Sequence, residues 1–161
     1  MTIYLCGFMG CGKTRIGKIL AKKTGMRFTD LDAYIVEREG MEIPRIFEQF
    51  GEPHFRQLGA KYIAEMPDNS VVALGGGAVI NDNTARTARE NGKVVFLDVD
   101  FETCYSRIKD DKNRPLAYNS PKRTVRELYY KRRPIYSERS DIHIKAKGSP
   151  AFIAEKIRKT L

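Results

Sequence analysis

The chain has no run of about 18 apolar residues, the length a helix needs to cross a bilayer, so no membrane span is expected. It opens without a basic and apolar leader, because Thr2-Ile3-Tyr4-Leu5-Cys6 already reads as a strand, and the cytoplasm is the expected compartment. Cysteine is scarce and odd in number: Cys6, Cys11 and Cys104 lack C-x-x-C spacing and have no histidine at metal-ligand distance along the chain. That argues against a disulfide scaffold or a zinc site. The two histidines, His54 and His143, have no partner visible in sequence and are read as structural or solvent-facing. The G-x-G-x-x-G spacing is also absent, which removes a dinucleotide-binding fold. Linkers, repeats and low-complexity tracts are missing, so the 161 residues are read as a single domain able to bury its own core.

Positive charge is in surplus, with a formal net charge of +9. Residues 101–140 hold 11 Lys/Arg against 5 Asp/Glu, so the surplus is concentrated there. Nucleic acid, an anionic membrane or a multiply anionic substrate would each suit such a balance, as would a plain solvated basic face.

Apolar stretches at 2–6, 26–30, 70–74, 94–99 and 142–146 read as strands, and helical spacing runs between them. Residues 33–66 read as helical pieces broken at Gly40, Pro44, Gly51 and Pro53, and 122–139 as a basic helix that Pro134 breaks or kinks. Residues 110–121 have turn formers and no period, and read as a loop. Alternation of this kind predicts a parallel sheet covered on both faces, with ligands beyond the carboxyl ends of the strands.

One motif stands at such an end. Gly7-Phe8-Met9-Gly10-Cys11-Gly12-Lys13-Thr14 matches G-x-x-x-x-G-K-[ST] in full, after a strand and before a helix. Its glycines let backbone N–H groups approach phosphates, and the helix dipole adds positive charge. Lys13 is expected at the β- and γ-phosphates of ATP and Thr14 on Mg²⁺. Cys11 is read as a small residue the loop tolerates. Asp30-Leu31-Asp32 is read as an extended segment with both carboxylates on one side, on a strand next to the first. One carboxylate could hold Mg²⁺ through water and the other accept a hydroxyl proton; a helix N-cap by Asp32 is the plain alternative. Phe55-Arg56 offers a guanidinium suited to a carboxylate, and Gly75-Gly76-Gly77 offers N–H groups free of side chains, or else a flexible turn.

Taken together, the motifs resemble those of the shikimate kinase family along the whole chain. The resemblance rests on the phosphate loop, Asp30-Leu31-Asp32, Gly51-Glu52-Pro53-His54-Phe55-Arg56, the triple glycine, Arg114-Pro115-Leu116 and Arg132-Arg133-Pro134-Ile135-Tyr136. It implies a P-loop kinase-like three-layer sandwich, a five-stranded parallel sheet with helices on both faces, substrate-binding helices at about 33–60 and a mobile lid at about 110–121. It implies ATP- and Mg²⁺-dependent phosphorylation of the 3-hydroxyl of shikimate. Lys13, Asp32 and Arg114 would be catalytic. ATP would meet Gly10, Cys11, Gly12, Lys13, Thr14, Arg15, Arg107, Arg114 and Pro150, with Arg107 stacked on adenine. Shikimate would meet Asp32, Phe47, Arg56, Gly75, Gly76, Gly77 and Arg132, with Arg56 and Arg132 clasping its carboxylate. Mg²⁺ would sit on Thr14, with Asp30 reaching it through water. The implied partners are ATP and shikimate, with no nucleic acid and no membrane, and the implied state is a monomer. One departure stands out: many members carry Glu three residues after the Phe-Arg arginine, and here that position is Gly59. The rival readings are another small-molecule kinase, such as a gluconate kinase, and a nucleic-acid-binding P-loop protein.

Overall fold

The fold was obtained as a computed structural model, which describes residues 1–114 and 116–161. Five strands, β1 (Thr2–Cys6), β2 (Arg27–Asp30), β3 (Ser70–Ala73), β4 (Gly92–Asp98) and β5 (Ile142–Lys145), form one sheet in the order β2-β3-β1-β4-β5. All four pairings are parallel. Among the described residues seven α-helices connect or follow them: α1 (Lys13–Thr24), α2 (Leu31–Glu39), α3 (Ile43–Ile63), α4 (Asp82–Asn91), α5 (Phe101–Ile108), α6 (Lys122–Glu138) and α7 (Pro150–Arg158), with a short 3-10 helix at Ala78–Ile80. Every residue of β1 and β3 is buried. Side chains alternate between the two faces of a strand, so both faces of the sheet centre are covered.

β2 lies beside β3, which separates it from β1, so the sequence expectation of a β1–β2 neighbourhood does not hold. Its residues Arg27-Phe28-Thr29-Asp30 are half-buried or exposed, as suits an edge strand. The expected extended Asp30–Asp32 segment is not formed either. The strand ends at Asp30, whose carboxylate caps α2 by accepting from the Ala33 N–H at 3.1 Å. Asp32 therefore sits in the first helical turn, and Asp30, not Asp32, is the cap.

Of the four breaks expected in 33–66, only two are real ends or kinks. Gly40 closes α2 in the left-handed conformation, and Gly51, at φ 83° and ψ 167°, bends α3. Pro44 opens α3 where its missing N–H costs nothing, and Pro53 stands in the first turn after the bend for the same reason. Helix α6 is continuous through Pro134, so of the expected break or kink the break is not formed. Long-range bonds hold it in place on both sides of that proline. Tyr129 Oη donates to the Val99 carbonyl at 2.5 Å, and Tyr136 Oη donates to the Gly76 carbonyl. Arg139 gives Nη1 to the carbonyls of Val79 and Ile80, at 2.6 and 2.8 Å, and pairs with Asp82.

The strands all deliver their carboxyl ends to one edge. The phosphate loop follows β1, Asp30 ends β2, the triple glycine follows β3 and Val99 follows β4. Asp111, Asn113, Arg114 and Leu116 line the pockets at this edge, and described residues on either side of 115 form turns, including Ala117 N–H to Arg114 O at 2.9 Å. Pro115 of the Arg114-Pro115-Leu116 motif lies outside the described residues. No helix is long and apolar enough to cross a membrane among the described residues.

Candidate active site

The phosphate loop keeps its shape because glycine is needed in it. Gly10 has φ 79°, and a Cβ there would lie 2.8 Å from the Cys104 carbonyl oxygen. Any side chain would be strained twice over. Gly12, at φ 94°, is the N-cap of α1 and leaves its first N–H groups free to face an anion. Lys13 is 8% exposed and folds back on the loop, donating to the carbonyls of Gly7 at 2.8 Å and Phe8 at 3.0 Å. Its Nζ is 3.5 Å from the Cys11 sulfur. The expected phosphate-facing ammonium is thus parked on oxygen acceptors at the cleft wall. Arg107, expected against adenine, gives Nη1 to the Gly10 carbonyl at 2.8 Å and so buttresses the loop from α5.

A cleft of about 980 Å³ opens from this loop. Gly10, Cys11, Gly12, Lys13, Thr14, Arg15, Arg107, Arg114 and Pro150 all line it, together with Asp30, Asp32 and Gly75. Within it the Thr14 hydroxyl donates to Asp30 Oδ2 at 2.6 Å. Asp30 thereby serves two elements at once, since its other oxygen caps α2.

A second, small cavity of about 40 Å³ adjoins the cleft. Phe47, Arg56, Gly76, Gly77 and Arg132 line it, with Met9, Phe55 and Leu116. Asp32, Ile43, Asn113 and Arg114 line both spaces and form the wall between them. Nothing in the sequence marks Ile43 or Asn113 for this place. Phe47 packs on Phe55 with ring centroids 5.1 Å apart, an apolar floor for the cavity.

The triple glycine has a role that a flexible turn or a bare N–H surface does not describe. A Cβ on Gly75 would lie 2.5 Å from Asp32 Oδ1, and one on Gly77 would overlap the Arg56 guanidinium. These positions are empty so that two charged side chains from α2 and α3 can lie flat on the strand end.

Burial raises the Asp32 pKa above the ordinary carboxylate value, and nearby Asp30 pushes the same way. Arg114, Lys13 and Arg56 pull against that without reversing it. Burial, then the like charge of Arg132, lowers the pKa of Arg56. Arg56 has a partner not expected from the sequence. Glu52, one turn earlier and just past the Gly51 bend, accepts from its Nη2 at 3.3 Å. A Cβ at Gly59, the position where a supporting Glu is missing, would meet nothing within 4 Å, and Gly59 plays no part in holding Arg56. Arg132, on α6, is 6% exposed. It forms no ion pair among the described residues. Two guanidiniums thus line one small cavity, where Asp32 is the carboxylate beside them, and among the described residues their salt-bridge partner is the half-exposed Glu52, which pairs with Arg56 alone.

The histidines are also placed. His54 stacks on exposed Phe50, with centroids 4.9 Å apart, and His143 does have a partner, with Nε2 2.9 Å from Asp98 Oδ2. Cys6 and Cys104 are buried and burial pushes both thiols up, Cys104 to about 12, so neither is an available thiolate at neutral pH.

Comparison with known proteins agrees with this architecture. A family model described as Shikimate kinase matches residues 9–161. The shikimate kinase of Sulfurihydrogenibium sp. is 44% identical over 158 residues, covering 96% of this chain and 94% of that protein. That of Persephonella marina is 42% identical, covering 96% and 95%. Among solved structures, the shikimate kinase from Acinetobacter baumannii in complex with shikimate superposes with a TM-score of 0.94 at 36% identity, covering 99% of this chain and 91% of that one. A gluconokinase from Sinorhizobium meliloti reaches only 0.59 at 16% identity, a likeness of fold alone. The family match spans nearly the whole length, including both cavities and the wall between them: the chain belongs to the shikimate kinase family.

Proposed function

We propose that this kinase moves the γ-phosphoryl group of ATP onto the 3-hydroxyl of shikimate, with the large cleft as the nucleotide site and the small cavity as the acceptor site. The observation that carries the acceptor assignment is the pair Arg56 and Arg132. Two like charges in one desolvated cavity repel each other, and a ligand carboxylate gripped by both relieves that repulsion. The cavity must widen to admit a ring, and its wall contains Asn113, Arg114 and Leu116 of the 110–121 segment. We assign that segment as the lid, which closes over both ligands and excludes water.

Asp32 lines both spaces, and this supports the reading that the acceptor hydroxyl meets the γ-phosphate beside it. Phosphoryl transfer proceeds through a loose transition state, so the protein chiefly positions the groups and opposes their charge. Asp32 aligns the hydroxyl and takes its proton late. Lys13 leaves the loop carbonyls for the phosphate oxygens, and Arg114 approaches them from the lid side.

The residues around Thr14 fit Mg²⁺. The Thr14 hydroxyl spends its proton on Asp30, which leaves its oxygen lone pairs for a cation, and Asp30 can accept from a metal-bound water. One hydroxyl and one outer carboxylate suit an ion that keeps most of its waters and takes its other ligands from phosphate. When bound, the ion supplies charge neutralisation between the β- and γ-phosphates.

A coupled assay for ADP release tests the reading. Shikimate is expected to stimulate release, whereas gluconate and single-stranded DNA are not. Stimulation by gluconate alone would overturn the acceptor assignment. A second expectation concerns Glu52. Glu52→Gln is expected to raise the KM for shikimate about fivefold, a modest figure because the pair is partly exposed to solvent, and to leave the KM for ATP unchanged. Steady-state kinetics in both substrates check this, and a change confined to ATP would remove Glu52 as the support of Arg56.

A further inference from the structure

The helix that carries Arg132 has a built-in weakness beside it. Pro134 has no N–H, so the Tyr130 carbonyl receives no helical bond, yet Arg132 must point one way to meet a carboxylate. The neighbouring residue supplies the missing constraint. Arg133 gives Nε to Asp98 Oδ1 at 3.1 Å and Nη2 to Oδ2 at 2.7 Å. A guanidinium fork on a carboxylate fixes direction as well as distance. Asp98 ends β4, and its side chain is 9% exposed. His143 on β5 holds the same carboxylate, its Nε2 lying 2.9 Å from Oδ2. Burial disfavours the Asp98 charge, but the bonds from Arg133 and His143 outweigh it and keep the carboxyl below its ordinary range.

Consecutive residues of a helix point about 100° apart, so the orientation of Arg133 dictates that of Arg132. We propose that Asp98 and Arg133 form a positioning pair that sets the rotation of α6 and so aims Arg132 at the acceptor carboxylate. The inference rests on the reading of Arg132 as a ligand of that carboxylate. The pair touches no substrate cavity itself, since neither residue lines either space. The tyrosine bonds at 129 and 136 keep the helix docked when the pair is removed, so what is lost is aim and not attachment.

The test compares Arg132→Ala, Asp98→Asn, Arg133→Leu and Arg133→Lys in the full-length enzyme, with separate KM values for shikimate and ATP, kcat, and thermal unfolding. Each pair variant is expected to raise the shikimate KM about tenfold, with the ATP KM little changed. Arg133→Lys should not rescue, because an ammonium has no fork. The double variant Asp98→Asn with Arg133→Leu should be no worse than either single one, because the two act as a unit. Lower melting temperatures with an unaltered shikimate KM would show a merely structural pair and overturn the proposal. If Arg132→Ala raises the shikimate KM and the pair variants do not, the positioning role alone falls. If Arg132→Ala leaves it unchanged, the clasp falls and the positioning role with it. Should Asp98→Asn fail to fold, the two Arg133 variants decide.

Discussion

Asp32→Asn is expected to lower kcat by about 10³-fold and, at neutral pH, to raise the melting temperature. The two effects have one origin. Asp32 is held with its charge largely out of water and beside Asp30, and its folded pKa lies above its unfolded one. A carboxyl shifted in that direction binds its proton more tightly in the folded state. Its contribution to stability is therefore fully present below the unfolded pKa and is lost as pH rises through the folded one. At neutral pH the ionised group weakens the fold, and Asn, equal in shape and uncharged, removes that penalty. Chemistry runs the other way, because only the ionised form can take the hydroxyl proton. Wild-type turnover should fall as pH drops through the raised pKa. Unfolding of both proteins from acid to neutral pH checks the stability half: the advantage of the variant should open as pH rises and vanish below the ordinary carboxylate range. A variant less stable than wild type at neutral pH, or one with intact turnover, would sink the assignment.

Lys13→Ala is expected to lose activity by about 10³-fold or more while the fold survives. In the free enzyme the Lys13 ammonium is bonded to the Gly7 and Phe8 carbonyls. Phosphate oxygens compete for it only when nucleotide is bound, and they compete best as charge develops in the transition state. Removing it takes away that opposing charge from the reacting phosphate and leaves two loop carbonyls short of a donor. The second loss costs about 1–3 kcal/mol of stability. That is small enough to leave the protein folded, since β1 is paired on both sides and Gly12 O still accepts from Ile16 N–H. Single-turnover phosphoryl transfer, read beside a circular-dichroism melt, separates the two losses. Unimpaired turnover would refute the role of Lys13.

The parts that were legible in the sequence are those encoded by neighbours. Gly7 to Thr14 announces its own conformation, because its glycines and its lysine act within one loop. The five strands and their helices follow from local hydrophobic spacing. What was hidden depends on residues far apart in the chain. His143 looked partnerless because Asp98, its partner, lies on another strand. Pro134 reads as a break or kink because the bonds that hold the helix on either side of it run from Tyr129 and Tyr136 to carbonyls far away in the chain, those of Val99 and Gly76. The edge position of β2 does have a local signal: Arg27, Thr29 and Asp30 make it too polar to sit between two buried strands. Asp30 and Asp32 were read with strand alternation, although Asp before Leu31 and Ala33 is equally a helix start. The family resemblance points three residues ahead for the support of Arg56, whereas Glu52 stands one turn behind, on the same face of the helix.

The empty space at Gly75 and Gly77 also constrains how the chain can drift. Every single-step replacement of glycine adds at least a Cβ, and at these two positions that atom would land on Asp32 or Arg56. Gly59 has ordinary helical backbone and, although buried, leaves room for a Cβ, so a small side chain fits there without a clash. Packing alone therefore resists a side chain at this strand end: what 75 and 77 supply there is a gap, kept for the benefit of side chains encoded elsewhere.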